Sequence, residues 1–317
     1  MPTRGALVSQ LVFHHYPSSP FSEKIRAIFG FKGLRWTSVH IPVIMPKPDV
    51  IALTGGYRKT PLLQIGADIY CDTALIADVL ERLAPTPTLY PAESAGTAHL
   101  LAQWADSTLF WTAIPYTLQP AGLQTRFAGM KPEHIKAFVA DRTAFRGNAR
   151  SIAIPEATGA LRLYLEQFEA QLADGRPWLL GKATSIADFS VYHSLWFVRS
   201  APPVSDILEP YRHVTAWLDR VQALGNGTFD KMTSGEAVAL AASSKPASTE
   251  GEAFLDLHGI ARGERVTVAA TDYGVDPVEG ELVLSRPDEI AIRRVDPRAG
   301  EVVVHFPRIG FQLQRPG

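Results

Sequence analysis

The stretch Val12 to Arg26, VFHHYPSSPFSEKIR, constrains the fold more than any other part of the chain. Val12 and Phe13 end a short apolar strand, and Tyr16-Pro17-Ser18-Ser19-Pro20 makes a rigid turn. From Phe21 onward, Ile25, Ile28 and Phe29 fall on one face of a helix. A strand that stops, turns and aims a helix N-terminus at solvent presents unpaired N–H groups and about half a positive charge. Such an end attracts an anion, and a thiolate beside a serine hydroxyl suits it. Ser18, Ser19 and Ser22 read equally as caps and turn formers.

Composition narrows the setting. At 317 residues the chain has room for two or three domains, and 31 Lys and Arg against 32 Asp and Glu give no reason to expect a nucleic-acid or membrane-surface partner. One cysteine, Cys71, excludes an internal disulfide and a Cys-rich zinc site, and at a strand end it reads as an inert buried residue. No apolar stretch resembles a signal h-region or a membrane span, so a cytoplasmic protein without membrane contact is expected.

Between residues 9 and 91 the pattern alternates. Strand-like stretches at 11–14, 36–41, 61–65 and 68–71 are interleaved with helical ones at 22–32 and 73–83. This is a βαβ unit followed by ββα, with the first two strands parallel and the last two a hairpin, which suits a thioredoxin-like α/β domain. In Lys59-Thr60-Pro61 a cis bond before Pro61 would turn the backbone groups of Thr60 toward an extended peptide ligand, whereas a trans bond would simply open an edge strand. Asp72-Thr73, between a strand and the helix ALIADVLERLA, can cap that helix or receive a ligand's ammonium and carboxylate.

Together Ser19-Pro20-Phe21-Ser22-Glu23-Lys24-Ile25-Arg26, Thr60-Pro61 and Asp72-Thr73 resemble the glutathione-binding domain of the soluble glutathione S-transferase family. Trp178 to Lys182, followed by Thr184-Ser185-Ile186-Ala187-Asp188-Phe189, resembles the buried helix start of that family's second, all-helical domain. There Ser185 and Asp188 have the spacing of a capping box, which makes Asp188 a folding residue and not a catalytic one. Helical periodicity at 98–109, 132–145, 156–172, 185–198 and 210–224 supports an all-α bundle over 92–242. Its aromatic residues Trp104, Phe110, Trp111 and Tyr116 could wall a substrate pocket or form plain core.

The resemblance ends near residue 242. Residues 243–252 read as a flexible linker, and 253–317 as a small antiparallel β domain of unassigned role, with eight Arg or Lys against ten Asp or Glu. The whole is thus an α+β protein in three parts.

The resemblance implies an enzyme that uses glutathione as co-substrate, works on a small electrophile and forms a homodimer. Thr60 would pair with the cysteinyl backbone, Asp72 would attract the γ-glutamyl ammonium, and the N-terminus of the Thr73 helix would take the γ-glutamyl carboxylate. The sulfur would fall beside Ser19, with Ser18 as the reserve hydroxyl donor, because Ser19 aligns with the serine of serine-type members. Ser19 and Ser22 replace both thiols of a Cys-x-x-Cys-like pattern, which excludes dithiol redox chemistry at this turn. The tyrosine of tyrosine-type members would fall at His15, with Tyr16 one residue on and facing the other way. His14 and His15 diverge along a strand and lack a third ligand, so no metal is expected. Two alternatives stay open: a binding protein without turnover on the same fold, and a glutathione-dependent isomerase, dehalogenase or lyase.

Overall fold

A computed structural model describes residues 10–147, 149 and 151–317. Strand β1 (Val12–His15), helix α1 (Pro20–Phe31), β2 (Arg35–His40), α2 (Pro48–Thr54), β3 (Leu62–Ile65), β4 (Asp68–Cys71) and α3 (Thr73–Leu83) build the thioredoxin-like unit. β1 and β2 are parallel, and β3 and β4 form an antiparallel hairpin beside β1, as the crossover rule requires. α2 is an element the periodicity does not reveal. It has only seven residues and opens on Pro48.

The helical part contains α4 (Ala95–Trp104), a π-helical turn (Ala105–Leu109), α5 (Phe110–Thr117), α6 (Pro120–Arg126), α7 (Pro132–Arg146), α8 (Ile154–Leu172), α9 (Ile186–Arg199) and α10 (Arg212–Ala223). At the buried start of α9 the capping box forms. The Asp188 carboxylate accepts Ser185 N–H at 2.9 Å, Ser185 Oγ–H at 3.1 Å, Leu179 N–H at 2.9 Å and Trp217 Nε1–H at 2.9 Å. Four donors around one carboxylate keep a fully buried acid compatible with the core, since each stranded donor would cost about 1–3 kcal/mol.

The chain then departs from the all-helical expectation. β5 (Thr228–Met232) adds to the edge of β2 in parallel. Its residues are mostly exposed and polar, so no apolar alternation marks it in the sequence, and it is held from outside. Arg35 grips Asp230 at 2.8–3.0 Å, and Trp36 Nε1 donates to Asn226 O at 2.8 Å. Gly227 makes the approach possible: it has φ +69°, and a Cβ there would lie 2.5 Å from Leu34 O.

After α11 (Ser234–Ser243), β6 (Arg265–Ala270), β7 (Val278–Ser285), β8 (Glu289–Asp296), β9 (Gly300–Pro307) and β10 (Phe311–Gln314) follow. They are antiparallel among themselves, as the turn pattern suggests. They do not stand apart, however. β9 pairs in parallel with β4 (Asp68 with Val303, Ile69 with Val304, Tyr70 with His305), giving one ten-stranded sheet in the order β10-β6-β7-β8-β9-β4-β3-β1-β2-β5. The connection expected to be a loose linker is tied down: Ala247 N–H donates to Asp68 Oδ2 at 2.8 Å, and Arg262 holds Thr249 O at 2.7 Å and Glu252 O at 2.9 Å.

Two apolar layers result. One face of the sheet packs α1 and α3 against the helical bundle, with Phe13, Ile28, Leu80, Phe189 and Trp217 buried in it. The other continues beneath α2 and α11 from Val39, Leu53 and Ile69 to Val304 and Phe306, so the added strands share a core with the first domain. At the seam, buried His305 bridges Glu289 (Nδ1, 2.7 Å) and Asp68 (Nε2, 3.0 Å), and its ring stacks on Tyr70. Burial disfavours the imidazolium, but the hydrogen bonds and charges of Asp68 and Glu289 outweigh it and raise the His305 pKa. Among the described residues no helix is long and apolar enough to cross a membrane.

Candidate active site

The serine turn is shaped by its neighbours. Ser19 is the N-cap of α1, with Pro20 at the first helical position, and its Oγ accepts Ser22 N–H at 3.2 Å. An oxygen that accepts this bond still has its own proton to donate. Arg26, nearly two turns into the helix, clamps the turn by donating to Pro17 O at 2.9 Å, and it pairs with Glu23 at 2.7 Å. His15 Nδ1 lies 3.1 Å from Arg26 Nη1 and His15 Nε2 lies 2.8 Å from Ser38 Oγ. Burial, with Arg26 beside it, lowers the His15 pKa to about 3, so the ring is neutral and Nδ1 accepts from Arg26. Ser19 is buried and Ser18 is exposed.

Tyr16, expected to face away, has Arg142 and Ser19 beside its hydroxyl. Burial raises its pKa, against the pull of Arg142. Arg142 and Asp141 come from α7, which reaches over the loop before α2. Asp141 accepts Met45 N–H at 3.1 Å and Arg58 Nη2–H at 2.8 Å, and Arg142 donates to Val43 O. Lys47 stands at the same place, 3.4 Å from Thr60 Oγ1 and 5.7 Å from the Tyr16 ring centroid. Burial, with Arg142 and Arg58 close by, lowers its pKa to about 8.

Across the sheet end, the Thr60–Pro61 bond is cis. Asp72 has φ +73°, the one positive φ of a non-glycine residue among those described, and its carboxylate caps α3 by accepting Ala74 N–H at 2.9 Å. A strained backbone of this kind costs about 1–3 kcal/mol and is characteristic of ligand clamps. Burial raises the Asp72 pKa, opposed by the Ala74 N–H and by Lys59 and Lys24.

Lys24 Nζ donates to Thr73 Oγ1 at 3.2 Å and to Asp106 Oδ2 at 2.6 Å, and His193 Nε2 lies 2.9 Å from Asp106 Oδ1. Asp106 sits on the π-helical turn, an irregularity often found at functional sites. Its own burial opposes ionisation, but Lys24 and His193 prevail and lower its pKa.

Thr60, Pro61, Asp72 and Thr73 line one cleft, together with Phe21, Lys59 and Asp106. Its remaining wall includes Asp272 and Tyr273, from the loop between β6 and β7. The aromatic residues expected to wall a pocket divide. Phe110 packs at a tilt against Phe21 with centroids 4.5 Å apart, and Trp111 meets Tyr273 at 5.1 Å, both beside the cleft. Trp104 instead packs edge-on against Tyr164 and Phe168, and Tyr116 is buried with its hydroxyl on Val204 O at 2.8 Å, so both serve the bundle interior. A larger groove of about 440 Å³ runs along β2 and β5 past Ser38, His40, Lys231 and Glu236 and contains none of the expected site residues.

Cys71 is fully buried, and burial, with Asp72 next, raises its thiol pKa well above normal, in line with an inert residue. Among the described residues no cluster of His, Cys, Asp and Glu could hold a metal. Sequence reasoning set Tyr16 aside and did not single out Lys47, Arg142, Asp106, Asp272 and Tyr273, which the structure brings to this end of the sheet. Only Tyr16 and Lys47 lie near the recognised motifs; the others arrive from distant elements without a local signal.

Residues 13–88 match the glutathione S-transferase N-terminal domain and residues 151–220 the glutathione S-transferase C-terminal domain. A GST-like protein from Pseudomonas syringae is 42% identical with a TM-score of 0.82, over 97% of this chain and 100% of that one, so it shares the added strands. A glutathione S-transferase from Rhodospirillum rubrum is 18% identical with a TM-score of 0.51, over 68% of this chain and 88% of that one. FzlA from C. crescentus, 20% identical with a TM-score of 0.51, covers 68% of this chain and 88% of its own. These two show the fold alone. No curated protein matches. With both domain models matched in order and 42% identity over nearly the whole of two chains, the protein belongs to the glutathione S-transferase family.

Proposed function

We propose that the protein binds reduced glutathione, holds its sulfur as a thiolate beside Ser19 and lets that thiolate attack an electrophilic carbon of a small molecule. The observation that carries this reading is the convergence of three motifs on one end of the sheet: a serine N-cap on α1, Thr60-Pro61 before β3, and Asp72-Thr73 at the start of α3. Thr60 would pair with the cysteinyl backbone in strand fashion. The α-carboxylate of the γ-glutamyl end would meet the N-terminus of α3, and Lys47 offers a cation near Thr60 for the glycine carboxylate.

A free thiol near pKa 8.5 is mostly protonated at neutral pH, and a helix N-terminus with one hydroxyl donor shifts it toward thiolate. The proton leaves to solvent. The sulfur lone pair then forms the new C–S bond, and with a chloronitrobenzene the carbon's bonding pair departs with chloride. Ser19 is the better placed donor, since it caps α1 while Ser18 is turned to solvent.

A second reading, binding without turnover, is favoured by one feature: Trp104 and Tyr116 do not reach the cleft. The test is a conjugation assay with a chloronitrobenzene alongside retention on immobilised glutathione. Turnover that is lost in Ser19→Ala while retention persists supports the enzyme. Retention with no turnover of any electrophile supports the binder, and product formed with glutathione regenerated, in place of a glutathione conjugate, would point to a dehalogenase, isomerase or lyase.

A further inference from the structure

Three carboxylates line the cleft, and two of them are committed. Asp106 gives one oxygen to Lys24 and the other to His193, and Asp72 caps α3. Asp272 has a single partner among the described residues, Lys59 Nζ at 2.5 Å from Oδ1, and its side chain is 49% exposed. Lys59 in turn is the one cation among the described residues lining the cleft, and its Nζ lies 4.0 Å from the Tyr273 ring centroid. One charge of this pair belongs to the loop before β3, the other to the loop between β6 and β7.

The second loop is firmly seated. Thr271 donates to Gly310 O through N–H at 3.0 Å and Oγ1 at 3.2 Å, Gly274 N–H donates to Phe145 O at 3.0 Å, and the Tyr273 ring stands edge-on to Trp111 and Phe145. Gly274 has φ +57°, and a Cβ there would fall 2.4 Å from Phe145 Cε2, so the fit requires glycine. The cleft encloses about 70 Å³. That is far below the roughly 300–1,000 Å³ of pockets that swallow a whole drug-sized ligand. It suits a charged head group, with the rest of the ligand lying over the open sheet end.

We propose that the Lys59–Asp272 pair is the receptor for the free α-amino-acid head of the ligand, Asp272 taking its α-ammonium and Lys59, with the N-terminus of α3, its α-carboxylate. This rests on the glutathione reading and moves recognition of the ammonium from Asp72 to the C-terminal strands. The physical reason is charge balance. A zwitterion laid antiparallel against an ion pair turns one pairing into two and leaves no charge desolvated and alone, whereas a ligand with only a carboxylate would take Lys59 and strand Asp272. The added strands thereby select ligands with an unblocked α-amino group.

The test is calorimetry on the full chain with reduced glutathione and with N-acetylglutathione, whose ammonium is replaced by an amide. The wild type should prefer glutathione by about tenfold or more. Asp272→Asn should weaken glutathione by about tenfold and bind N-acetylglutathione as well as the wild type or better, because no stranded carboxylate is left, so that the preference collapses. Asp272→Ser should behave alike, and Asp272→Glu should restore part of the preference. A preference that survives Asp272→Asn places the ammonium elsewhere and overturns the proposal. Tighter glutathione binding in Asp272→Asn also overturns it, because Asp272 would then only compete for Lys59. A wild type that binds neither compound removes the glutathione reading itself, and this proposal with it.

Discussion

Replacing Ser19 with alanine removes two separable things, and their sizes follow from the structure. The first is the N-cap: Ser19 Oγ accepts Ser22 N–H at 3.2 Å, and losing such a cap costs about 1 kcal/mol of stability. The second is the hydroxyl proton offered to the sulfur. A hydrogen bond to a charged group is worth about 1.5–3 kcal/mol. At 1.36 kcal/mol per pKa unit, its loss should raise the bound thiol's pKa by about 1–2 units. From a bound thiol that is mostly ionised, with a pKa of about 6.5, turnover at neutral pH should then fall by about 3- to 25-fold.

The assay is kcat/KM for conjugation to a chloronitrobenzene between about pH 6 and about pH 9, where the lower inflection reports the thiol. In Ser19→Ala that inflection should move upward, while affinity for S-methylglutathione, which has no thiol to ionise, should stay within about threefold. Ser19→Gly should reproduce the kinetic change with a smaller loss of stability, since glycine at an N-cap costs only a few tenths of a kcal/mol. If kcat/KM falls by less than about threefold and the inflection stays in place, Ser19 is not the donor. Tyr16, whose hydroxyl lies beside Ser19, would then be the group to replace.

Three further outcomes are expected. Truncation after Ala242 should yield an aggregating product, because it uncovers the β4 edge and the core shared by Leu53, Ile69, Val304 and Phe306; a soluble, cooperatively unfolding fragment would show that the strands are dispensable. His305→Gln should cost about 3–5 kcal/mol by leaving Asp68 with little beyond the Ala247 N–H. Because the His305 pKa is raised in the fold, its contribution is complete below the unfolded value near pH 6.5 and is lost as pH rises through the higher folded value; parallel urea midpoints for wild type and variant across that range would refute this. Affinity for S-methylglutathione should fall as pH rises through about 8, where Lys47 loses its proton, and Lys47→Arg should abolish that fall; an unchanged profile would release Lys47 from carboxylate binding.

Much of the first domain and the helical bundle was legible because the information is local. The serine turn opening α1, the hairpin of β3 and β4 and the capping box at Ser185 and Asp188 each lie within a few residues of chain, and each appears as read. The same holds for the strand pattern after residue 264, where alternation and turn residues mark β6 to β9. Thr60, Pro61, Asp72 and Thr73 line one cleft for the same reason, since each pair sits at the end of a strand that local sequence marks.

What the sequence by itself determined is therefore a set of elements, their caps and the motifs carried at their ends. Which surfaces those elements share was decided only in three dimensions. The pairing of β9 with β4, the edge position of β5 and the arrival of Asp272 beside Lys59 each join residues at least 190 positions apart. No local pattern encodes such contacts. Backbone pairing is indifferent to side-chain identity, and Trp104 and Tyr116 have the same helical periodicity whether they face a ligand or a core, so burial alone distinguishes the cases.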